Sequence, residues 1–295
     1  MFNLFGKKKK DIGPKPIYTA DNPLFKRFPL QEAELSTIRV SVEKKMAEIL
    51  DTEAAAELLT SMTELPSVPV NLKRLQFESF GWKKVESEQR FDAYVCEKTG
   101  NYLLASQDRP NGSLKDMNIK VEFPMYRDWL RDQMAHNGGG LIFCETFKHK
   151  GVSGYEAIAK LPKPEGENGT DYYYFLNIHN FEDDRIEQLR LTVKELGGPG
   201  VRETLLKEPL TELLDNDSDK FINYFRLDPY NPTYNEGNVH SAAEMEVFDQ
   251  LFPIHPLSVL RMHLRPRLLD SLIHLEMLPE GTKDDDDIEV EYEEL

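Results

Sequence analysis

The feature that most constrains the fold is a pattern of alternating apolar and polar residues that recurs in close succession. Its four segments are Leu141–Lys148, Gly154–Leu161, Asp171–Asn180 and Ile186–Lys194. Alternation places every second side chain on one face of a strand, as in a sheet with one face against the core. Because only short polar or turn-rich connections separate the segments, consecutive strands are predicted to pair antiparallel.

Further strands and one helix are predicted ahead of these segments. Strands are predicted at Phe91–Cys96, Tyr102–Ser106 and Met117–Phe123, and at Leu75 and Phe77 before a turn at Phe80-Gly81-Trp82. Pro124 is predicted to open a helix that ends near His136, with Tyr126, Trp129, Leu130 and Gln133 spaced for one face. This order of strands, one helix and more strands indicates an α+β fold rather than an alternating strand–helix fold.

Helices are also predicted on both sides of this block. Residues 41–63 contain good helix formers, and Asp51 leaves open one kinked helix or two short ones. Later helices are predicted from Gly200 onwards, from the capping-box pattern of Ser241 and Glu244 to about Leu251, and from Leu257 to Met277 with a bend at Pro266. The predicted fold class is therefore α+β, with a mainly antiparallel sheet, flanking helices, an N-terminal helix and a C-terminal helical extension.

The predicted organisation of the chain has five parts. They are an extended arm over residues 1–30, a helical N-terminal segment over 31–71, an α+β core over 72–199, a C-terminal helical extension packed on the core over 200–280, and a disordered acidic tail over 281–295. The tail is predicted to be disordered because a block of like charges repels itself and offers little to bury.

The charge of the chain argues against one class of partner. The 295 residues include 36 Lys and Arg against 52 Asp and Glu, which gives a net charge of −16. Half of that excess lies between Asp284 and Leu295, where there are eight acidic residues and no basic one. A nucleic-acid partner is not expected, because an acidic protein repels the phosphate backbone.

Cysteine content and hydropathy indicate a cytoplasmic protein. Cys96 and Cys144 are too few for a disulfide framework or a four-ligand zinc site. The first residues, MFNLFGKKKK, reverse the order of a secretory signal, and no apolar run approaches the roughly 20 residues that cross a membrane. The seven histidines show no metal-ligand spacing. Neither a membrane association nor a metal or other cofactor is therefore predicted.

Several short sequence groups between residues 72 and 195 point to a known fold. They are Phe80-Gly81-Trp82, Asp92-Ala93-Tyr94, Tyr126-Arg127-Asp128-Trp129-Leu130, the run from Cys144 through Gly154-Tyr155-Glu156-Ala157 to Tyr172–Asn180, and Arg190–Thr192. In the order of these groups the chain resembles the Mog1/PsbP-like fold. The resemblance implies a binding module with a curved antiparallel sheet between helices. It implies no catalytic residue, because the family has none in common.

Two groups of residues are candidates for contacts with a protein partner. Arg261, His263, Arg265 and Arg267 form a positive cluster. This cluster would bind an acidic partner, hold the acidic tail at Asp284, Asp285, Asp286 and Asp287, or be a solvated helix face. In the aromatic run from Tyr172 to Phe175, alternation along a strand is expected to expose two rings, with Tyr172 and Tyr174 as the candidate interface residues. Packing within the sheet is the alternative for this run.

Two further motifs suggest chemistry. Gly198, Gly200 and Arg202 lie at a predicted helix start, where backbone N–H groups and a guanidinium would hold an anion. The alternative is a structural turn in which Arg202 pairs internally. His255 and Ser258 lie close together, as a base and a nucleophile do, yet the sequence shows no third group that would orient the base. The same segment also fits a rigid connector between helices.

These features predict a non-enzymatic cytoplasmic protein-interaction module, such as an adaptor, an accessory protein or an immunity-type protein. The expected partner is a protein, and the sequence does not indicate an oligomeric state. The alternative is a hydrolase or an anion-binding enzyme that uses His255 and Ser258 or the Gly197–Arg202 turn. A third hypothesis is mimicry of nucleic acid by the acidic tail.

Overall fold

The computed structural model describes residues 32–49, 52–63, 69–72, 75–88, 90–109, 114, 119–165, 167–181, 184–196, 200–213, 228–231, 233–234, 236–237 and 241–274. The predicted arm over residues 1–30 lies outside these ranges. So do Gly198 and the predicted acidic tail with Asp284, Asp285, Asp286 and Asp287.

The strands confirm the predicted α+β class with a mainly antiparallel sheet. In chain order they are β1 (Pro69–Leu72), β2 (Leu75–Glu78), β3 (Lys83–Glu88), β4 (Phe91–Val95), β5 (Tyr102–Asp108), β6 (Gly140–His149), β7 (Val152–Pro162), β8 (Thr170–Asn180), β9 (Arg185–Val193) and β10 (Ile273–His274). Seven of them form one sheet in the order β3-β4-β5-β9-β8-β7-β6, with every neighbouring pair antiparallel. The other three form a small antiparallel sheet in the order β1-β2-β10.

The helices lie before, within and after the large sheet in the chain. They are α1 (Glu32–Ile49), α2 (Thr52–Thr63), α3 (Ile119–His136), α4 (Val201–Leu213) and α5, which spans residues 256–271. α5 begins as an α-helix at Pro256–Val259, widens to a π-helical turn at Leu260–Leu264 and returns to α-helix at Arg265–Ser271. Two short 3-10 helices, Ala242–Glu244 and Glu246–Leu251, precede α5.

The main core lies between α5 and one face of the large sheet, which we call the α5 face. In register across the central strands, Leu103, Leu191, Tyr174 and Ile158 lie opposite one another on this face. The same buried cluster contains the leucines of α5, which are Leu257, Leu260, Leu264 and Leu268. The residues after 200 therefore share their core with the sheet.

Helix α3 covers part of the opposite face, which we call the α3 face. Leu130 and Met134 of α3 pack there on Cys144, Ala157 and Ala159 of β6 and β7. A third cluster joins α1 to α4 and the 3-10 helices, through side chains that include Ile38, Val42, Leu206, Leu210 and Phe248. Helices thus pack on both faces of the sheet.

One predicted strand is wrong. Residues 119–123, predicted as the end of a strand, form the first turns of α3, and Pro124 lies inside this helix rather than at its start. A short alternating run contains too few residues to separate a period of two from a period of 3.6. The helical spacing of Phe123, Tyr126, Leu130 and Met134, all packed on or within the α3-face cluster, decides the outcome.

Other differences lie at the ends of elements. The region predicted as one or two helices over residues 41–63 is two helices, and α1 begins nine residues before Ser41 at Glu32. Strand β3 has the sequence KKVESE, and all six residues are exposed. It shows no alternation of apolar and polar residues, so it was not predicted. The irregularity of α5 lies at Leu260–Leu264, just before Pro266, because proline cannot donate to the preceding turn and its ring crowds a carbonyl there.

Within the described ranges, no helix combines the length and the apolar character needed to span a bilayer.

Candidate functional site

The predicted basic cluster on α5 lies largely in the interior. Arg265 is buried, and its Nε and Nη2 donate to the two carboxylate oxygens of Glu156 on β7 at 2.8 and 2.7 Å. Arg267 is half-buried and donates to Glu78 and to the Thr63 carbonyl. These arginines do not form the solvent-facing patch expected from the sequence, because the carboxylates that they pair with lie on the protein side of α5.

Arg261 and Arg202 share one buried carboxylate. Arg202 donates from Nη1 to Asp249 Oδ1 at 2.7 Å, and Arg261 Nη1 lies 3.4 Å from the same oxygen. Arg261 Nη1 also donates to the Glu244 carbonyl at 2.7 Å. His263, the fourth predicted residue of the cluster, is partly buried on α5. The region is therefore a network that ties α5 to α4 and to the 3-10 helices.

The proposed anion site at the start of α4 is occupied by the protein's own groups. Arg202 is fully buried, and each of its three nitrogens has a protein acceptor: Nε the Ala243 carbonyl at 2.6 Å, Nη2 the Met245 carbonyl at 2.8 Å, and Nη1 the Asp249 carboxylate. The Gly200 N–H donates to the Glu195 carboxylate at 2.9 Å. The structure therefore shows the alternative to an anion site, a structural turn in which Arg202 pairs with groups of the protein itself.

His255 and Ser258 do not form a base–nucleophile pair. His255 Nδ1 accepts the Leu257 N–H at 3.3 Å as the N-cap of α5. The fully buried Ser258 hydroxyl donates to Asp249 Oδ1 at 3.2 Å and accepts from Arg202 Nη1 at 2.9 Å. Burial, and then the charges of Arg202, Arg261 and Lys160, lower the pKa of His255 well below its ordinary value. The Ser258 hydroxyl is thus hydrogen-bonded to the Asp249 carboxylate and the Arg202 guanidinium, and it makes no hydrogen bond with the His255 imidazole.

The two tyrosines predicted as interface residues are buried on the α5 face. The Tyr174 hydroxyl donates to Glu156 Oε2 at 2.8 Å, and the Tyr172 hydroxyl donates to Glu244 Oε1 at 3.4 Å. Burial and the adjacent carboxylates raise the pKa of both tyrosines well above the ordinary value. The rings that lie on the other face are those of Tyr173 and Phe175, stacked with centroids 6.2 Å apart. Within the run Tyr172–Phe175 both sets of alternate residues are aromatic, so this run alone did not reveal which set faces inward. The signal lay further along β8, where Leu176 and Ile178 continue the set of Tyr172 and Tyr174 and are buried with it.

The exposed apolar surface of the protein instead includes one side of α3. Met125 and Trp129, one turn apart, are 67% and 55% exposed. The other side of α3 packs on the sheet through Leu130 and Met134. The sequence prediction grouped Trp129 and Gln133 with Tyr126 and Leu130 on one face, whereas the structure exposes Trp129 and Gln133. We call Met125 and Trp129 the exposed pair.

A row of aromatic rings continues inward from the exposed pair. Trp129 lies 5.9 Å from Tyr126, Tyr126 stacks on Tyr155 at 5.2 Å, Tyr155 meets the edge of His179 at 4.6 Å, and His179 lies 5.9 Å from Phe181. Phe181 is again exposed, at 36%. Burial lowers the pKa of His179, with Glu122 acting the other way. This aromatic row packs α3 against β7 and β8.

Contacts with a neighbouring loop hold α3 in position. The Arg127 guanidinium lies 4.5 Å from the centre of the Tyr230 ring, and the Arg131 guanidinium lies 4.4 Å from that of Tyr234. The Tyr230 hydroxyl in turn accepts the Cys144 N–H on the edge of β6 at 2.6 Å. Asn177 Nδ2 donates to the Tyr126 hydroxyl at 2.8 Å. The packed apolar residues of α3 are Phe123, Tyr126, Leu130 and Met134, and only this series, rather than the predicted face that included Trp129, leaves Met125 and Trp129 on the other side.

In the part of the chain that the structure describes, no group of three or more His, Cys, Asp or Glu side chains is placed to hold a metal ion.

These features define an α+β protein whose seven-stranded antiparallel sheet carries helices on both faces. No protein-family model and no curated protein sequence matches the chain. Among solved structures, the chain is similar to the Ran-binding protein Mog1p of Saccharomyces cerevisiae, with 10% identity over 53% of this chain and 94% of that one and a TM-score of 0.35. A variant of protein Mog1 gives 11% identity over 53% of this chain and 95% of that one, with a TM-score of 0.35.

Cyanobacterial PsbP from Synechocystis gives 14% identity over 54% of this chain and 91% of that one, with a TM-score of 0.29. The predicted resemblance to the Mog1/PsbP-like fold is thus confirmed, and it is a weak one.

Proposed function

We propose that the protein is a non-enzymatic, cytoplasmic protein-interaction module of the adaptor, accessory or immunity type, and that it contacts its partner through the exposed pair on α3. The observation that carries the proposal is the exposure of two large apolar side chains, Met125 and Trp129, on a helix whose opposite side is already packed in the core. Tryptophan and methionine are enriched at protein interfaces, and tryptophan is the most frequent energetic anchor.

The contacts that anchor α3 to the rest of the protein support this role. The cation–π contacts of Arg127 and Arg131 and the hydrogen bond to Tyr126 hold the helix before any partner arrives. A preordered surface loses less conformational entropy on binding, so more of the contact energy appears as affinity. The exposed pair therefore suits recognition without rearrangement of the sheet.

The charges beside the exposed pair indicate the chemistry of the partner. The side chains of Asp128 and Asp132 are 51% and 61% exposed, and both carboxylates pair with Arg131, whose own side chain is only 11% exposed, at 3.1 and 3.5 Å. The exposed charges beside the apolar centre are thus carboxylates, partly neutralised by an arginine beneath them, on a chain of net charge −16. We expect a protein partner with an apolar cleft rimmed by basic residues, since complementary charges raise the association rate and suppress wrong partners.

Two observations support the cytoplasmic, non-enzymatic part of the proposal. Cys96 and Cys144 are both buried and not joined in a disulfide, as in a reducing compartment. The polar groups of the predicted enzyme sites, Arg202 and Ser258, are fully buried and engaged with Asp249. A substrate would have to displace those bonds.

Site-specific photo-crosslinking in cells of the source organism tests the proposal. A photoreactive residue is placed at position 133 of the full chain, where Gln133 is exposed one turn after Trp129, and, as a control, at position 85 on β3, where Val85 is 52% exposed. We expect position 133 to capture one protein that position 85 does not, and Met125→Asp to abolish that product. The purified partner should bind Trp129→Ser at least about thirtyfold more weakly than wild type, the effect of losing a central anchor. Capture of the same proteins at both positions, or an affinity unchanged in Trp129→Ser, would contradict the proposal.

A further inference from the structure

A pocket on the other side of the protein from α3 is lined by residues of several elements. Its walls come from the end of α1, the segment after β9, the start of α4 and the segment leading into α5. The lining residues are Met46, Ile49, Glu195, Leu196, Val201, Arg202, Phe252, Ile254, His255 and Pro256. The cavity volume is about 240 Å³, a little below the range of about 300–1,000 Å³ for sites of drug-sized ligands, so the pocket suits a small molecule of about ten non-hydrogen atoms.

The lining is mostly apolar, and its charged groups are engaged by the protein. Arg202 donates to Asp249 and to backbone carbonyls. Both oxygens of Glu195 accept backbone N–H groups, from Thr170 at 2.8 Å and from Gly200 at 2.9 Å. Neither side chain requires a ligand to complete its hydrogen bonds.

His255 is different, because one of its ring nitrogens has no hydrogen-bond partner among the described residues. Nδ1 accepts the Leu257 N–H, so the proton of the neutral ring is assigned to Nε2. Nε2 is buried and makes no hydrogen bond with any described residue. A buried donor without an acceptor is unfavourable, and a ligand acceptor would relieve it once the pocket wall moves enough to open Nε2, whose accessible surface in this structure is close to zero.

The charges around His255 restrict the ligand to a neutral molecule. Arg202, Arg261 and Lys160 all act to lower the pKa of the imidazole, so a cation placed beside it would meet the same repulsion. An anion would meet the Glu195 carboxylate on the pocket wall, and the Arg202 guanidinium on the same wall is fully buried with its three nitrogens already hydrogen-bonded by the protein. A neutral carbonyl oxygen avoids both conflicts and accepts from Nε2.

We infer that this pocket binds a neutral, apolar small molecule that carries one carbonyl acceptor, with the carbonyl oxygen on His255 Nε2 and the apolar body against Met46, Leu196 and Phe252. The inference is independent of the proposed function, because none of the lining residues belongs to α3 or the aromatic row. Failure of one leaves the other standing.

Acetophenone, α-methylstyrene and benzoate form a matched set of probes. The first two have nearly the same shape, and only acetophenone offers a carbonyl oxygen, whereas benzoate adds a negative charge. Binding is followed in the full chain by the methyl resonance of Met46 and the ring-nitrogen resonance of His255. We expect saturable shifts with acetophenone, an affinity about five- to tenfold above that of α-methylstyrene from one added hydrogen bond, and weaker binding of benzoate.

Three variants test whether acetophenone binds in this pocket and contacts His255. Ile49 lines the mouth of the pocket and is 60% exposed. Val40 lies on the same helix and is 66% exposed, but it does not line the pocket. Val40→Asp is therefore the control for Ile49→Asp, because both variants place a charge at a similarly exposed position of α1. Ile49→Asp should weaken acetophenone binding at least tenfold and Val40→Asp should leave it unchanged. His255→Asn keeps an N-cap acceptor but should remove the preference for acetophenone over α-methylstyrene. Absence of any Met46 shift, equal effects of the two aspartate variants, or benzoate binding as tightly as acetophenone would overturn the inference.

Discussion

At the scale of single residues, buried charges explain why the arginines of α5 lie inside. Glu156 on β7 points to the α5 face and accepts from Arg265 and from the Tyr174 hydroxyl. A carboxylate in the core is tolerated only with such partners. Arg261 and Arg265 occur at i and i+4, next to Leu264 and Leu268, and therefore on the apolar stripe of the helix. That placement was the sequence signal for burial.

The Glu156–Arg265 pair predicts a large loss of stability when one member is removed. Arg265→Met leaves the Glu156 carboxylate buried beside only the Tyr174 hydroxyl, which should lower the free energy of unfolding by about 3–5 kcal/mol. Urea denaturation at pH 7 measures the change. The double variant Arg265→Met, Glu156→Met is the control, because it removes both charges and should be clearly more stable than the single variant. A single variant as stable as wild type would contradict the prediction.

Gly154 on β7 predicts a second effect at this scale. A Cβ built on Gly154 would lie 1.8 Å from the Asn177 carbonyl oxygen of β8, a backbone atom that cannot move without breaking the pairing of the two strands. Gly154→Ala should therefore lower the free energy of unfolding by at least about 1–3 kcal/mol. Ser153→Ala, one residue away and only partly buried, should change it by about 0.5 kcal/mol or less. Equal midpoints for the two variants in urea would contradict this reading.

At the scale of elements, α3 separates a side packed on the sheet from the side that carries the proposed interface. Leu130 is buried against the sheet, and the adjacent Trp129 is 55% exposed. Leu130→Ala should lower the free energy of unfolding by about 2–5 kcal/mol because it leaves a cavity. Trp129→Gln should change it by about 0.5 kcal/mol, as exposed positions do.

Thermal or urea unfolding of the two α3 variants checks this division. A loss for Trp129→Gln as large as that for Leu130→Ala would show that the tryptophan serves the core. It would also remove the support for the proposed interface.

The edge strand β3 of the large sheet shows why the sequence pattern did not predict every strand. β3 is an edge strand whose exposed residues include Lys83, Lys84, Glu86 and Glu88. Charged side chains on an edge discourage pairing with other chains, and they also remove the apolar alternation by which strands are predicted. The strands whose inward residues face α5 or α3 kept that alternation and were predicted.

At the scale of the whole molecule, two buried histidines predict loss of stability in mild acid. The pKa values of His179 and His255 are lowered in the folded protein from an ordinary value of 6.5. Below about pH 6.5 the unfolded chain takes up protons that the folded protein does not. The stabilising contribution of each neutral histidine is therefore fully present above about pH 6.5. It is lost as the pH falls towards the pKa of that histidine in the folded protein, and the free energy of unfolding then decreases by up to about 1.4 kcal/mol per pH unit for each histidine.

Buried and partly buried carboxyl groups act in the opposite direction. Burial raises the pKa values of Asp171, Glu203, Asp228 and Glu246, so these groups bind protons more readily in the folded protein. The histidine contribution is isolated by comparing variants. Urea unfolding between pH 5 and 7.5 should give a shallower loss for His179→Asn and for His255→Asn than for wild type. Parallel curves for the three proteins would contradict the prediction.

The organisation of the chain into five parts stays a prediction, and two of those parts lie outside the described residues. The structure describes how some of the others meet. α5 and the sheet share one buried cluster, and α1 packs with α4 and the 3-10 helices in another. The buried pairs of Arg202 and Arg261 with Asp249 join the elements that contribute to those clusters.

The sequence by itself determined the class of fold, because hairpin spacing and alternation are local properties that act within about ten residues. It also indicated the antiparallel order of β6 to β9 and the helical character of α1 to α5. The run Tyr172–Phe175 did not by itself determine which side of β8 faces the core, because both of its sides are aromatic, and the apolar residues on both sides of α3 left the same question open there.

Only the tertiary structure decided the site. Arg265 and Tyr174 are both buried against Glu156 instead of facing solvent. Glu156 lies 109 positions away in the chain from Arg265 and 18 positions away from Tyr174. The exposure of Trp129 and the pocket beside His255 likewise follow from how distant elements pack. Burial is a property of the assembled surfaces, and local sequence carries no direct measure of it.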